Sequence, residues 1–190
     1  MYQKLLSFDQ SWLISWNNFA NSSPFWGGLF KFCGEYLIYI IPVFLVIFWI
    51  YETRSKKAGL AALFSALLSV AFTNIIGRII NRPRPFELEN IRELFFHRPT
   101  YSFPSDHAAV LFAIAFSLYF SGYKRLFWTM LVIAIVISLS RIATGIHFPS
   151  DVIAGAILGI LCSWIIWLLE RPLDYLYNFL IMIAKKMRLA

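Results

Sequence analysis

Polar and apolar residues in this chain fall into long blocks. Five windows, residues 36–51, 58–77, 108–123, 126–140 and 152–169, contain no charged side chain and together make up nearly half of the sequence. A lipid-exposed segment must satisfy its own backbone polar groups, and these windows are too few and too long to be barrel strands, so each predicts a membrane-crossing helix. A hydrocarbon core needs roughly 20 mostly apolar residues per helix, and the shorter windows reach that length only with flanking residues. The expected fold class is all-α: an integral membrane helical bundle of five or six transmembrane helices with interfacial terminal segments. Residues 1–190 read as one domain, with an N-terminal segment over 1–34, a membrane core over 35–170 and a C-terminal segment over 171–190.

Local features refine that outline. Pro42 is expected to kink the first helix. Small residues at helical spacing, Ser65 and Ser69 in the second window and Gly155 and Gly159 in the fifth, permit close helix contacts. The N-terminal stretch has no continuous apolar run, because Asp9, Gln10, Asn17, Asn18 and Asn21 interrupt it. It reads as an interfacial amphipathic segment with Trp12, Trp16 and Trp26 at headgroup level. The C-terminal stretch either lies in the interface or continues the fifth helix past Pro172. The connection from about 78 to 106 is far longer than ordinary helix connections, and loops of that length are functional or disordered.

Composition supports the membrane reading: 59% of residues are hydrophobic and 14% charged, against about 25% charged in a soluble domain. The net charge of +7 has no soluble basic stripe on which to bind nucleic acid, and it fits anionic lipid or a phosphate-bearing substrate better. Cys33 and Cys162 lie far apart in sequence, the latter within an apolar window, so no disulfide is expected. Arg54, Lys56, Lys57, Lys124, Arg125, Arg171, Lys185, Lys186 and Arg188 fall on one side of the membrane. Lys4, Lys31, Arg78, Arg82, Arg84, Arg92, Arg98 and Arg141 fall on the other. The tally is nearly even, but four of the second group are claimed below by chemistry. The first side is therefore expected to be cytoplasmic, with the N-terminus and the long connection outside.

Alternating helices bring three polar clusters to the same membrane face: Gly77 to Phe86, Ser102 to His107, and Ser140 to Asp151. Any single Arg or His there could simply mark an interface. Cations, two histidines and a carboxylate at one depth are, however, the parts that phosphoryl transfer needs, because that reaction is catalysed by positioning and by neutralising charge on the phosphoryl oxygens. Arg84 and Arg141, with Arg78 or Arg82, can do the neutralising, since guanidinium matches phosphate bidentately. Pro104 and Pro149 sit where helices begin, so free backbone N–H groups there could also face the anion. His147 and Asp151 share a face if their turn is helical, and a carboxylate so placed would fix the imidazole tautomer and raise its nucleophilicity.

These residues resemble the type-2 phosphatidic acid phosphatases, a family of integral membrane lipid phosphatases with a three-part signature. The third part, S-R-x5-H-x3-D, is matched in full by Ser140, Arg141, His147 and Asp151. The second, P-S-G-H, is present as Pro104, Ser105, Asp106 and His107, with Asp in place of Gly. The first, K-x6-R-P, ends on Arg84 and Pro85 but has Gly77 where the family has Lys, and Arg78 or Arg82 is the candidate replacement. The resemblance implies that His147 attacks phosphorus to form a phosphohistidine, with Asp151 orienting it. His107 would protonate the departing oxygen and then activate water, while Arg84, Arg141 and Ser105 hold the phosphoryl oxygens. It also implies a bundle of about six spans. No cofactor is implied, and no residues stand at metal-ligand spacing, His97 being isolated.

The P-S-D-H variant resembles the bacterial branch that dephosphorylates undecaprenyl diphosphate in recycling of the cell-wall carrier lipid. That implies an enzyme of the bacterial cytoplasmic (inner) membrane, with membrane lipid around it and its site facing outward. Phosphatidate, phosphatidylglycerophosphate and lipid A phosphate are the alternative substrates. A small proton-coupled transporter would need ionisable residues at mid-membrane depth, where the sequence has only neutral residues such as Ser65, Ser69, Ser117 and Ser163. The vanadate-binding haloperoxidases resemble this family's site but are soluble.

Overall fold

The computed structural model describes residues 2–50, 53–87, 90–96 and 100–187; Glu89, His97, Arg98 and Arg188 lie outside the described residues. These residues form eight α-helices: α1 (Tyr2–Ala20), α2 (Pro24–Lys31), α3 (Ile40–Ile50), α4 (Thr53–Ile80), α5 (Asp106–Phe120), α6 (Lys124–Ala143), α7 (Pro149–Leu168) and α8 (Glu170–Lys186). Among the described residues four stretches are long and apolar enough to cross a membrane: Pro24–Ile47, Lys56–Glu87, Lys124–Ala143 and Pro149–Leu168. The shorter apolar α5 stands among them.

The first crossing stretch begins well before the first charge-free window. Ser23 caps it by accepting from the Trp26 N–H, and Pro24 occupies its first turn. Lys31 and Glu35 conceal this start from a charge count, but Glu35 Oε2 is buried in the protein. The boundary drawn at residue 34 thus falls inside a π-helical turn, Phe32–Tyr36, which a 3-10 turn, Leu37–Tyr39, joins to α3. Departure from α geometry therefore precedes Pro42. That proline lies in the first turn of α3, where a missing N–H costs nothing.

α5 is the axis of the bundle. Ala108, Ala109, Leu111, Ala113, Ile114, Ala115 and Leu118 have no exposed surface, because α4, α6 and α7 pack around this helix. Its 15 residues span only about 22 Å, which suffices for a helix walled off from lipid on most sides. The α7 glycines permit the closest approach: a Cβ on Gly155 would stand 2.4 Å from the Ser105 carbonyl oxygen, and one on Gly159 would stand 2.2 Å from that of Ala109. Ser65 and Ser69 of α4 are likewise fully buried. The close helix contacts expected from these small residues are present.

The terminal helices are more than surface segments. α1 buries Asp9, Leu13, Asn17 and Ala20 along one face, and α1 packs on α6 and α7. The Asn17 Nδ2 donates to the carbonyls of Arg92 (2.8 Å) and Ala143 (3.0 Å), and its Oδ1 accepts the Arg92 N–H at 3.0 Å. The side chain so pins the long connection to the end of α6. α8 is a separate helix, not an extension of α7, with Pro172 in its first turn. It rests on α4 through Tyr177, Ile181 and Leu60, with a Lys57–Asp174 ion pair at 2.5 Å. The Lys57 bond holds the Asp174 carboxyl below the usual carboxylate range. Both cysteines are free thiols.

Candidate active site

Three loops meet at one end of the bundle: the chain after α4, the approach to α5, and the α6–α7 turn. Gly145 makes that last turn possible, with φ of +78° and no room for a side chain against Ile91 and the Arg92 carbonyl. The turn presents His147, which is 3% exposed. Its Nδ1 lies 2.8 Å from the Ser102 carbonyl oxygen. A carbonyl only accepts, so Nδ1 carries a proton, and in the neutral ring Nε2 then keeps its lone pair. Arg84 Nη1 stands 3.4 Å from that Nε2. Arg84 is itself anchored on the Ile146 carbonyl at 3.2 Å and on Thr100 Oγ1 at 3.1 Å.

Asp151 is fully buried at the third position of α7. Its Oδ2 accepts the Phe148 N–H at 2.9 Å, half of a capping box, and its Oδ1 accepts from Arg82 at 2.7 Å. The nearer contact to His147 is 3.7 Å. The tautomer is thus set by the Ser102 carbonyl, with Asp151 close enough to act on the ring electrostatically. The sequence assigned that orienting bond to Asp151 because backbone carbonyls leave no trace in residue identity.

Arg141, 2% exposed, donates to the carbonyl of Gly34 at 2.9 Å, a residue within the π-helical turn. Its Nε is buried without a partner, as are Ser105 Oγ and Asp106 Oδ1. An N-cap serine ordinarily accepts from the first turn of its helix; Ser105 caps α5 without that bond. The α5 start is tied to α7 by the Ser105 N–H on the Asp151 carbonyl at 3.0 Å. His107, half-buried, follows Asp106 in that first turn. Asp106 lies within electrostatic reach of both Arg84 and Arg141.

Two candidate phosphate ligands are placed elsewhere. Arg82 points away from the Nε2 side: Nη1 donates to Ser150 Oγ and Asp151 Oδ1, each at 2.7 Å, Nη2 donates to Asp9 Oδ2 at 2.8 Å, and the guanidinium covers the Phe148 ring at 3.8 Å. Carboxylates in a buried setting have claimed its charge. Arg78 is exposed on α4 and makes none of the site's hydrogen bonds. Arg82 is thus held by carboxylates, and Arg78 stands on the exposed face of α4. At Gly77 a Cβ would stand 2.2 Å from the Tyr101 ring, so Tyr101, bonded to Asn74 Oδ1 at 2.7 Å, fills the space a longer residue would need. The N–H of Ser150 at the start of α7 also points to Asp9 (2.8 Å), not to an open anion position. Asp9 is the site residue that sequence reasoning missed. Its signal was present in the spacing of 9, 13, 17 and 20, one helical face.

Among the described residues no group of three His, Cys, Asp or Glu could hold a metal ion. The mid-helix hydroxyls of Ser65, Ser69 and Ser163 donate to carbonyls of their own helices at 2.7–2.8 Å and build no proton relay.

The chain is similar to a protein of Bacillus licheniformis called bacitracin transport permease protein BcrC, with 34% identity covering 81% of this chain and 76% of that one. It is similar to an undecaprenyl-diphosphatase of Sulfolobus acidocaldarius, with 31% identity covering 82% and 73% respectively. Its fold matches the crystal structure of Aquifex aeolicus LpxE with a TM-score of 0.70 and 28% identity, covering 81% of this chain and 91% of that one. The PAP2 superfamily model matches residues 58–174, the stretch that carries every motif residue from Gly77 to Asp151. This chain is a multi-pass membrane lipid phosphatase and belongs to the PAP2 superfamily.

Proposed function

We propose that this enzyme removes the terminal phosphate of undecaprenyl diphosphate, through a phosphohistidine on His147, on the outer side of a bacterial cytoplasmic membrane. One observation carries the reaction: a buried imidazole with its proton fixed on Nδ1 and Arg84 at its Nε2, while the adjoining elements hold two buried donors without partners, Arg141 Nε and Ser105 Oγ. Donors preorganised in a water-poor site are what a phosphoryl group in transfer requires. Nε2 of His147 bonds to phosphorus as the bond to the bridging oxygen breaks, and His107 gives that oxygen its proton. Water activated by His107 then takes the phosphoryl group from the ring. Asp151 offsets the positive charge the ring acquires. In this reading residues 1–190 work as one membrane-embedded unit, because α1 supplies contacts to the site itself.

The substrate reading is supported by the relatives' names and by the Asp106 variant of the second motif. The outward orientation is supported by charge. Lys57, Lys124, Arg125 and Arg171 cluster where α4, α6 and α8 begin, at the end opposite His147, and that end reads as cytoplasmic. The test is phosphate release in detergent from undecaprenyl diphosphate, phosphatidate, phosphatidylglycerophosphate and a lipid A phosphate. The first should give the highest kcat/KM. If it ranks among the poorest, the carrier-lipid assignment is wrong.

A further inference from the structure

Asp9 belongs to the N-terminal helix, 142 residues before Asp151, yet it is 5% exposed and both its oxygens are engaged at the start of α7. Oδ1 accepts the Ser150 N–H at 2.8 Å, and Oδ2 accepts Ser150 Oγ at 2.5 Å and Arg82 Nη2 at 2.8 Å. Arg82 then reaches Asp151 Oδ1 at 2.7 Å, and Asp151 Oδ2 faces His147 Nδ1 at 3.7 Å. Asp9, Arg82, Asp151 and His147 thus form a row of alternating charge once the ring becomes cationic.

We propose that Asp9 is a positioning residue of the hydrolytic site, acting through Arg82 on Asp151. The inference rests on the reading of His147 as the nucleophile. Asp151, itself fully buried, would alone face the part-buried Arg82 cation, which would neutralise it just where its negative charge must oppose a phosphorylated imidazolium. Asp9 supplies the second carboxylate that satisfies Arg82, so Arg82 fixes Asp151 in place without consuming its charge. The Asp9–Ser150 bonds also occupy the free N–H of the α7 N-terminus, which fixes the register of the turn holding His147. α1 is in this view a component of the reaction centre.

The reaction depends on Asp9 in a way that a packing residue would not show. In Asp9→Asn, kcat for polyprenyl diphosphate should fall on the order of 10- to 100-fold, by analogy with the loss of outer-shell partners of metal-ligating histidines, while KM stays within about twofold, because no Asp9 atom faces the anion pocket. The loss should disappear in an Arg82→Gln background, where Asp9 has no cation to balance. An Asp9→Asn enzyme with wild-type kcat overturns the proposal. So does an equal loss in the Arg82→Gln background, or a KM that rises in step with the fall in kcat. If Asp9→Asn fails to fold, the Asp9→Asn/Arg82→Gln double variant removes both charges together. A folded double variant as active as Arg82→Gln alone supports the proposal, and a less active or unfolded one overturns it. Wild-type protein that releases no phosphate from any lipid would instead sink the reading of the site.

Discussion

Gly155→Ala is the smallest change that should separate the two halves of the site. A Cβ at 155 would stand 2.4 Å from the Ser105 carbonyl oxygen and 3.1 Å from the Ala108 Cβ. The first obstacle is backbone, which cannot rotate aside as a side chain tip would. Ordinary van der Waals contact begins near 3.4 Å, so the start of α5 must move from α7 by about 1 Å. The 3.0 Å bond from the Ser105 N–H to the Asp151 carbonyl cannot survive that shift, at a cost of about 1 kcal/mol. Overpacking adds roughly 1–3 kcal/mol. The larger effect is on rate. Ser105 and His107 are carried by α5 and the neighbouring loop, His147 and Asp151 by the α7 start, and a misplacement of 1 Å between reacting groups costs about 10²-fold. The assay is steady-state phosphate release in detergent beside a thermal melt of the same preparation. Gly28→Ala is the control, since nothing lies within 4 Å of its Cβ position. A folded Gly155→Ala enzyme within about threefold of wild-type kcat would refute the claim that α5–α7 spacing sets the geometry.

Three further outcomes are expected. His147→Ala should lose turnover and phosphoenzyme trapping while melting as the wild type does; appreciable remaining activity would remove it as nucleophile. Burial pushes the Tyr177 hydroxyl up to about 12, so the unfolded chain sheds that proton first and stability should fall as pH rises above 10. Because the hydroxyl is buried without a partner, Tyr177→Phe should make that alkaline slope shallower and gain about 1 kcal/mol at neutral pH; denaturant melts between about pH 8 and about pH 12, the range in which tyrosine titrates, check this, and an unchanged slope would be contrary evidence. A cysteine replacing the exposed Phe96 in the long connection, in a Cys33→Ala/Cys162→Ala background, should react with a membrane-impermeant reagent from outside the cell. Labelling only after lysis would reverse the orientation.

The helix count and the α5–α7 contact were legible because both depend on features that residue identity carries directly. Charge-free windows mark lipid-facing helices, and glycines four apart mark where two backbones can touch. That His147, Asp151 and Arg84 come together was legible for a similar reason: few other side chains suit phosphoryl transfer. What the sequence concealed were the partners. Arg82 and Arg84 are two residues apart and chemically identical, yet one is held by Asp9 and Asp151 and the other borders the imidazole. Only the path of the chain after α4, where Asn81 takes a φ of +44°, decides which arginine faces which way.

The same logic explains why α1 was undervalued. Asp9 and Asn17 break the apolar run, and a polar residue that breaks such a run ordinarily faces water or headgroups. Both are instead buried, at 5% and 2% exposure, and a buried polar group is tolerated only where it is hydrogen-bonded. Each meets that condition with partners from the far end of the chain: Arg92 and Ala143 for Asn17, Arg82 and Ser150 for Asp9. The two side chains therefore hold down the long connection and the α7 start, the loops that frame His147. Close packing holds the helices against one another, but apolar contact is non-directional and leaves the polar loops at their ends free to take more than one orientation. Directional bonds from one peripheral helix, placed where the reaction needs fixed distances, remove that freedom locally and leave the rest of the bundle to pack by shape.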